Sequence, residues 1–123
     1  MDLFEEVRGI LADLLDLDEK RITAESYLVR ELGAESIDFI ELAATMSRRF
    51  KIEIRKDEIF LKRLRFYAME AGLNGWDTVS FIRDKYPHLP GPRVAEIVRD
   101  LEDGPALKVK DLLFYLESRV AGK

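Results

Sequence analysis

Cysteine is absent from the 123 residues. That removes disulfide frameworks, thiolate metal sites and thiol nucleophiles together. Histidine occurs once, as His88. Imidazole metal sites and Ser-His-Asp triads therefore have almost nothing to draw on, and we expect neither a metal site nor a catalytic residue. No apolar run approaches the ~20 residues needed to cross a bilayer. The opening stretch "MDLFEEVRGILADLLDLD" has early acids and periodic apolar residues, which is not the pattern of a signal peptide. The expectation is a chain that does not span a membrane and works in a reduced cytoplasm. Prolines are few, and three of the four fall within "PHLPGP", which reads as a loop. His88 lies in that stretch and reads as a solvent-exposed loop histidine.

Hydrophobic residues make up 47% and charged residues 36%, the balance of a soluble globular protein. A chain of this length buries roughly 65–70% of its unfolded surface, so residues 1–123 are expected to form one domain. The net charge of −4 is unevenly spread. Residues 1–60 hold nine Lys/Arg against fifteen Asp/Glu, residues 61–107 hold seven of each, and residues 108–123 hold four against two. An acidic first half suits basic protein surfaces and repels nucleic-acid phosphates, so no nucleic-acid partner is expected.

Apolar residues recur at helical spacing over Leu3 to Asp16. Residues 17–35 read as a long loop pinned to the core by Ile22, Tyr27, Leu28 and Leu32. A second helix is expected from Ser36 or Ile37 to Phe50. A third is expected over Asp57–Ala71, with Gly72 to end it. Asp77 is placed to cap a short helix, "TVSFIRDKY". Further helix is expected at Arg93–Glu102, broken at Gly104-Pro105, and again at Val109–Val120. "KIEI" alternates but is too short and isolated to be a strand. The fold class is therefore all-α.

One short stretch, "ELGAESIDFIEL" (Glu31–Leu42), raises a functional question. Ser36 sits where a glycine-containing loop becomes a helix, and Glu35, Asp38 and Glu41 surround it. A helix N-terminus offers free N–H groups and a partial positive charge, a good place for a phosphate ester. Ser is equally one of the best N-caps. The position three residues on is Phe39, so a capping box built on Ser36 lacks its acidic partner. Taken alone, these residues leave both an attachment point and a simple cap open.

"LGAESIDFIEL" resembles the attachment motif of the acyl carrier protein family. The flanking "ITAESYLVRELGAES", "ELAATMSRRFKIEI" and "VKDLLFYLESRV" are similar to that family's first loop, second helix and last helix. The resemblance covers about residues 3–60 and 107–121. It implies an antiparallel four-helix bundle and a 4′-phosphopantetheine arm on Ser36, donated from coenzyme A by a phosphopantetheinyl transferase. The arm would hold acyl groups as thioesters and present them to acyl-transfer, ketosynthase or acyl-ligase enzymes of a lipid, lipopolysaccharide or polyketide pathway. The chain itself would be no enzyme, and a monomer. Glu35, Ile37, Asp38 and Glu41 match the partner-recognition positions. Ile40 would line the acyl cavity or sit in the helix core, and Ile54 would line the cavity or close the core.

The sequence also departs from that family. Its second helix ends on Arg48 and Arg49 where acids are usual. These either favour the helix C-terminus or select dedicated partners. About forty residues, roughly 62–106, are inserted before the last helix. They carry five of the twelve aromatic residues and either pack extra helices, enlarge the acyl cavity or expose a docking face. "FLKRLRFYAM" interleaves basic and aromatic residues, which read as a solvated helix face or as a membrane-facing one. Lys108 stands where a capping residue is usual, with Asp111 placed to offset the loss in part. Two rival functions stand beside the acyl carrier: a peptidyl or aminoacyl carrier with the same Ser36 chemistry, and an unmodified adaptor that keeps the fold.

Overall fold

A computed structural model describes residues 2–121, and the described residues form an all-α fold. Helix α1 (Leu3–Leu15) starts on Asp2, whose carboxylate accepts the Phe4 N–H at 3.0 Å, and ends on Asp16 in the left-handed conformation. Its apolar stripe buries Val7, Ile10, Leu11 and Ala12. Helix α2 (Ser36–Phe50) buries Leu42, Ala43, Met46 and Phe50, and α3 (Lys56–Ile59) is a single turn. The final helix, α7 (Val109–Ala121), buries Val109, Leu112, Tyr115 and Leu116. Helix α1 packs against both α2 and α7, and α3 packs against α7. Among the described residues the only β feature is a single bridge, Tyr27 to Lys108, so "KIEI" is no strand.

The inserted residues fold as α4 (Leu64–Asn74), α5 (Thr78–Lys85) and α6 (Gly91–Asp100), each packed on the next. Asp77 caps α5, its carboxylate accepting the Ser80 N–H at 2.9 Å. Ile82, Tyr86, Leu89, Val94 and Ile97 belong to the same buried cluster as Val7, Leu11 and Met46. Of the insertion's aromatic residues, Tyr86 is buried, whereas Phe66 and Trp76 are half exposed.

Three sequence expectations need correction. The single helix over Asp57–Ala71 is interrupted: after α3 the chain turns at Leu61, which is left-handed (φ 53°), and α4 begins at Leu64. A straight helix would point Phe60 and Leu61 about 100° apart, yet both are buried, together with Leu64. Burying all three outweighs a backbone cost of roughly 1–3 kcal/mol. The Lys62 N–H bonds the Asp57 carbonyl (3.1 Å) and the Arg63 N–H bonds the Tyr86 hydroxyl (3.2 Å), which secures the turn. Helix α6 also reaches back into "PHLPGP", with Gly91 and Pro92 in its first turn, where proline lacks only an N–H that has no helical partner anyway. Finally, His88 is not a solvent-exposed loop residue. Its ring stands edge-on to Tyr115 (centroids 5.3 Å) and Tyr86 (6.2 Å), and its Nε2 is buried without a partner among the described residues. Burial pushes its pKa down to about 4.

Two latches join the insertion to the rest. The Arg30 guanidinium donates to the Asp100 carboxylate (3.0 Å) and to the carbonyls of Asp100 and Gly104 (2.9 Å each), and it stacks on the Tyr27 ring. The Tyr27 hydroxyl donates to the same Asp100 carboxylate at 2.5 Å. The second latch is the pair Arg93–Asp111, in which Asp111 Oδ2 also accepts the Lys108 N–H at 2.8 Å. Asp111 thus supplies the start of α7 with the cap that Lys108 lacks.

Candidate functional site

The loop before α2 is held at both ends. Ile22, Leu28, Leu32 and Ala34 are buried pegs. Its backbone is stitched to the chain before α7: the Leu28 N–H bonds the Leu107 carbonyl (3.1 Å), the Val109 N–H bonds Ser26 (3.0 Å) and the Lys110 N–H bonds Ala24 (2.9 Å). Lys110 and Lys108 both donate to Glu25 at 2.9 Å and hold its carboxyl at about 2. At Gly33 the backbone is left-handed (φ 73°), with open space where a Cβ would stand. Glycine is needed there for its conformation, not for room.

The N-cap of α2 is Glu35, not Ser36. Glu35 is extended, and its N–H donates to the Asp38 carboxylate at 2.8 Å. Counted from Glu35, the third helical position is Asp38, so the reciprocal half of a capping box is present after all. Ser36 becomes the first residue of the helix. It is exposed, and its hydroxyl has no hydrogen-bond partner among the described residues. A free hydroxyl at the positive end of a fifteen-residue helix fits an attached phosphate ester: the oxygen is accessible, and the first-turn N–H groups and the helix dipole favour the negative charge.

The remaining expected residues separate into distinct places. Ile37 and Ile40 are 56% and 51% exposed and share the outer face of α2 with exposed Glu41. Ile40 therefore lies outside the buried core. Asp38 is half buried and engaged in capping. Arg49 is paired with Glu6 on α1, whereas Arg48 is exposed and has no ion-pair partner among the described residues. Ile54 packs partly buried against the core.

An apolar cavity of about 250 Å³ opens beside the first turns of α2 and is lined by Val29, Phe39, Phe60, Leu64, Leu101 and Ala106, with Lys62 and Arg65 also on its wall. The rings of Phe39 and Phe60 meet at 4.8 Å. Phe39 lies one turn beyond Ser36, on the side of α2 that faces this space. Sequence reading missed Phe39 for this role, although its spacing from Ser36 was the available signal. Leu101 and Ala106 had no such signal, because they come from the far end of the insertion. In this fold the inserted residues share the cavity wall with Val29, Phe39 and Phe60.

A family profile described as "Phosphopantetheine attachment site" matches residues 5–63. The acyl carrier protein of Helicobacter pylori (strain J99 / ATCC 700824) is 32% identical over 84 residues, which is 68% of this chain and 95% of that protein. The acyl carrier protein of Campylobacter concisus (strain 13826) is 34% identical over 58 residues, 47% of this chain and 75% of that protein. No solved structure matches significantly. Because a relative at this identity is covered over nearly its whole length, the chain belongs to the acyl carrier protein family and takes that family's cofactor, a covalently attached 4′-phosphopantetheine.

Proposed function

We propose that Ser36 Oγ is the attachment atom and that the chain presents acyl groups to the enzymes of a lipid, lipopolysaccharide or polyketide pathway. The observation that carries this reading is the division of labour at α2: Glu35 and Asp38 perform the capping, which leaves the Ser36 hydroxyl free. When bound, the arm supplies a terminal thiol that holds an acyl group as a thioester. The chain has no cysteine to compete with that thiol. As the ester would form, Ser36 Oγ gives up its proton, the pyrophosphate bond of coenzyme A breaks and adenosine 3′,5′-bisphosphate leaves, and the α2 N-terminus favours the ester's charge. The apolar cavity beside Phe39 offers the acyl chain shelter from water.

The chain performs no catalysis in this reading. Glu35 and Glu41, with Ile37 and Ile40 between them, form the face that meets a phosphopantetheinyl transferase and then the acyl-transfer, ketosynthase or acyl-ligase partner. Charged rim contacts of this kind steer encounter and release easily. Arg48 puts a cation at the far end of the same helix and disfavours partners that expect an acid there. Since the buried cluster runs through the bundle and the insertion alike, we treat residues 1–123 as one domain that works as a monomer in the cytoplasm. No helix among the described residues is long and apolar enough to cross a membrane.

Intact-mass spectrometry tests the assignment after incubation with coenzyme A, magnesium and a broad-specificity phosphopantetheinyl transferase. The parent gains one phosphopantetheine and Ser36→Ala gains none. A gain in Ser36→Ala, or none in the parent purified from its own host, overturns it.

A further inference from the structure

The most unusual surface of the molecule lies away from α2. On α4, Phe66, Met69 and Leu73 are 45%, 57% and 80% exposed, and Trp76, just past the helix end, is 51% exposed. Positions 66, 69 and 73 fall within about 60° of one another around a helix, so they form one stripe. Apolar side chains scattered singly are ordinary, but a contiguous row of this size marks an interaction surface. Phe66 lies against Tyr67 (centroids 5.9 Å) and Trp76 against Phe81 (5.1 Å), and both remain about half exposed.

Charge chooses among the occupants. Lys62, Arg63 and Arg65 cluster at the start of the stripe, against one acid on the helix, Glu70. The Arg63 guanidinium lies over the Phe66 ring at 5.1 Å, and Lys85 lies over the Tyr67 and Phe81 rings. Lys62 has no hydrogen-bond or ion-pair partner among the described residues, and Arg65 donates only to the Leu101 carbonyl. A symmetric pairing of two copies would bring the same cations to the interface without matching anions. An anionic lipid surface supplies anions for the cations and an apolar depth for the stripe, and tryptophan favours such an interface. The place of the stripe also has a consequence. Leu64 and Arg65 line the cavity beside Phe39, so the stripe begins at the cavity rim.

We propose that the α4 face is a reversible docking surface for anionic membranes, with Phe66, Met69, Leu73 and Trp76 entering the interface and Lys62, Arg63 and Arg65 meeting lipid phosphates. This goes beyond the carrier reading and does not depend on the arm. The acidic face of α2 stays turned to protein partners, and the cavity mouth is brought close to the lipid.

Trp76 is the only tryptophan in the chain, so its emission reports on this surface alone. The full chain, with and without the arm, is mixed with vesicles of phosphatidylcholine plus phosphatidylglycerol, and separately with vesicles of phosphatidylcholine only. On the anionic vesicles the emission shifts to the blue and the protein floats with the lipid. Both signals weaken at high salt and on phosphatidylcholine alone. Lys62→Gln and Arg63→Gln each lower the partition coefficient roughly fivefold. Met69→Ser with Leu73→Ser abolishes the shift while circular dichroism stays that of the parent, because these side chains are largely exposed. The proposal is overturned if the parent neither floats nor shifts, or if the Met69→Ser/Leu73→Ser protein floats like the parent. It is equally overturned if the parent self-associates through Leu73 and ignores vesicles, which assigns the stripe to a second copy.

Discussion

Arg93 and Asp111 form a side-on pair in the interior: Nε to Oδ1 is 2.7 Å and Nη2 to Oδ2 is 2.8 Å, with side-chain exposures of 3% and 0%. Arg93 Nη2 donates further to the Ala106 carbonyl at 2.9 Å, and Asp111 accepts the Lys108 N–H. One carboxylate therefore joins α6, the segment after it and the start of α7. Two buried charges are costly to desolvate, and the geometry here offsets that cost through bidentate bonding.

Asp111→Ala leaves the buried Arg93 charge with only a 3.5 Å contact to the half-exposed Glu96 carboxylate and removes the α7 cap. Urea unfolding is expected to show a loss of about 3–5 kcal/mol. Arg93→Met with Asp111→Leu removes both charges and retains most of the stability. If the double variant is no more stable than Asp111→Ala, the buried charge is not the source of the loss.

His88 makes stability depend on pH with a definite sign. Its pKa falls to about 4 because burial disfavours the charged ring; the nearby Asp111 and Glu58 oppose the shift and Arg119 adds to it. The unfolded chain protonates this ring near its ordinary value of about 6.5, so between these values the unfolded state binds more protons. The contribution is fully present above about pH 6.5 and is lost as pH falls toward 4, on the order of 3 kcal/mol in all. His88→Phe, which fits the aromatic surroundings, flattens this part of the urea-derived stability profile. An unchanged slope between pH 4 and 6.5 in that variant refutes the assignment.

The α2 cap rests on Asp38 rather than on Ser36, which gives the two residues opposite signatures. Asp38→Ala breaks the bond to the Glu35 N–H and costs about 0.5–2 kcal/mol of stability. Ser36→Ala leaves thermal stability within about 0.5 kcal/mol of the parent, because its hydroxyl has no hydrogen-bond partner among the described residues. Paired thermal melts decide it, and a larger loss from Ser36→Ala shows that the serine does cap the helix.

Much of this protein was legible in its sequence because local signals decide it. The apolar spacing over Leu3–Leu15 and Ile37–Phe50, the Asp77 cap and the Gly104-Pro105 break each act within a turn or two of helix. The "LGAESIDFIEL" motif likewise carried the resemblance to the acyl carrier protein family, which the family profile and the relatives bear out. Tertiary structure decided what depends on distant partners. The capping duty moved from Ser36 to Glu35 because the pegged loop, held by Leu28 and Leu32, sets where the backbone enters α2. Ile40 turned outward and Phe39 inward because the space beside α2 is walled by Leu64, Leu101 and Ala106, which only the folded insertion brings there. His88 became a half-buried ring with a lowered pKa through Tyr86 and Tyr115, the latter far along the chain. Composition and periodicity report what a residue prefers among its neighbours in sequence, whereas burial and pairing across the chain are fixed only when the core closes.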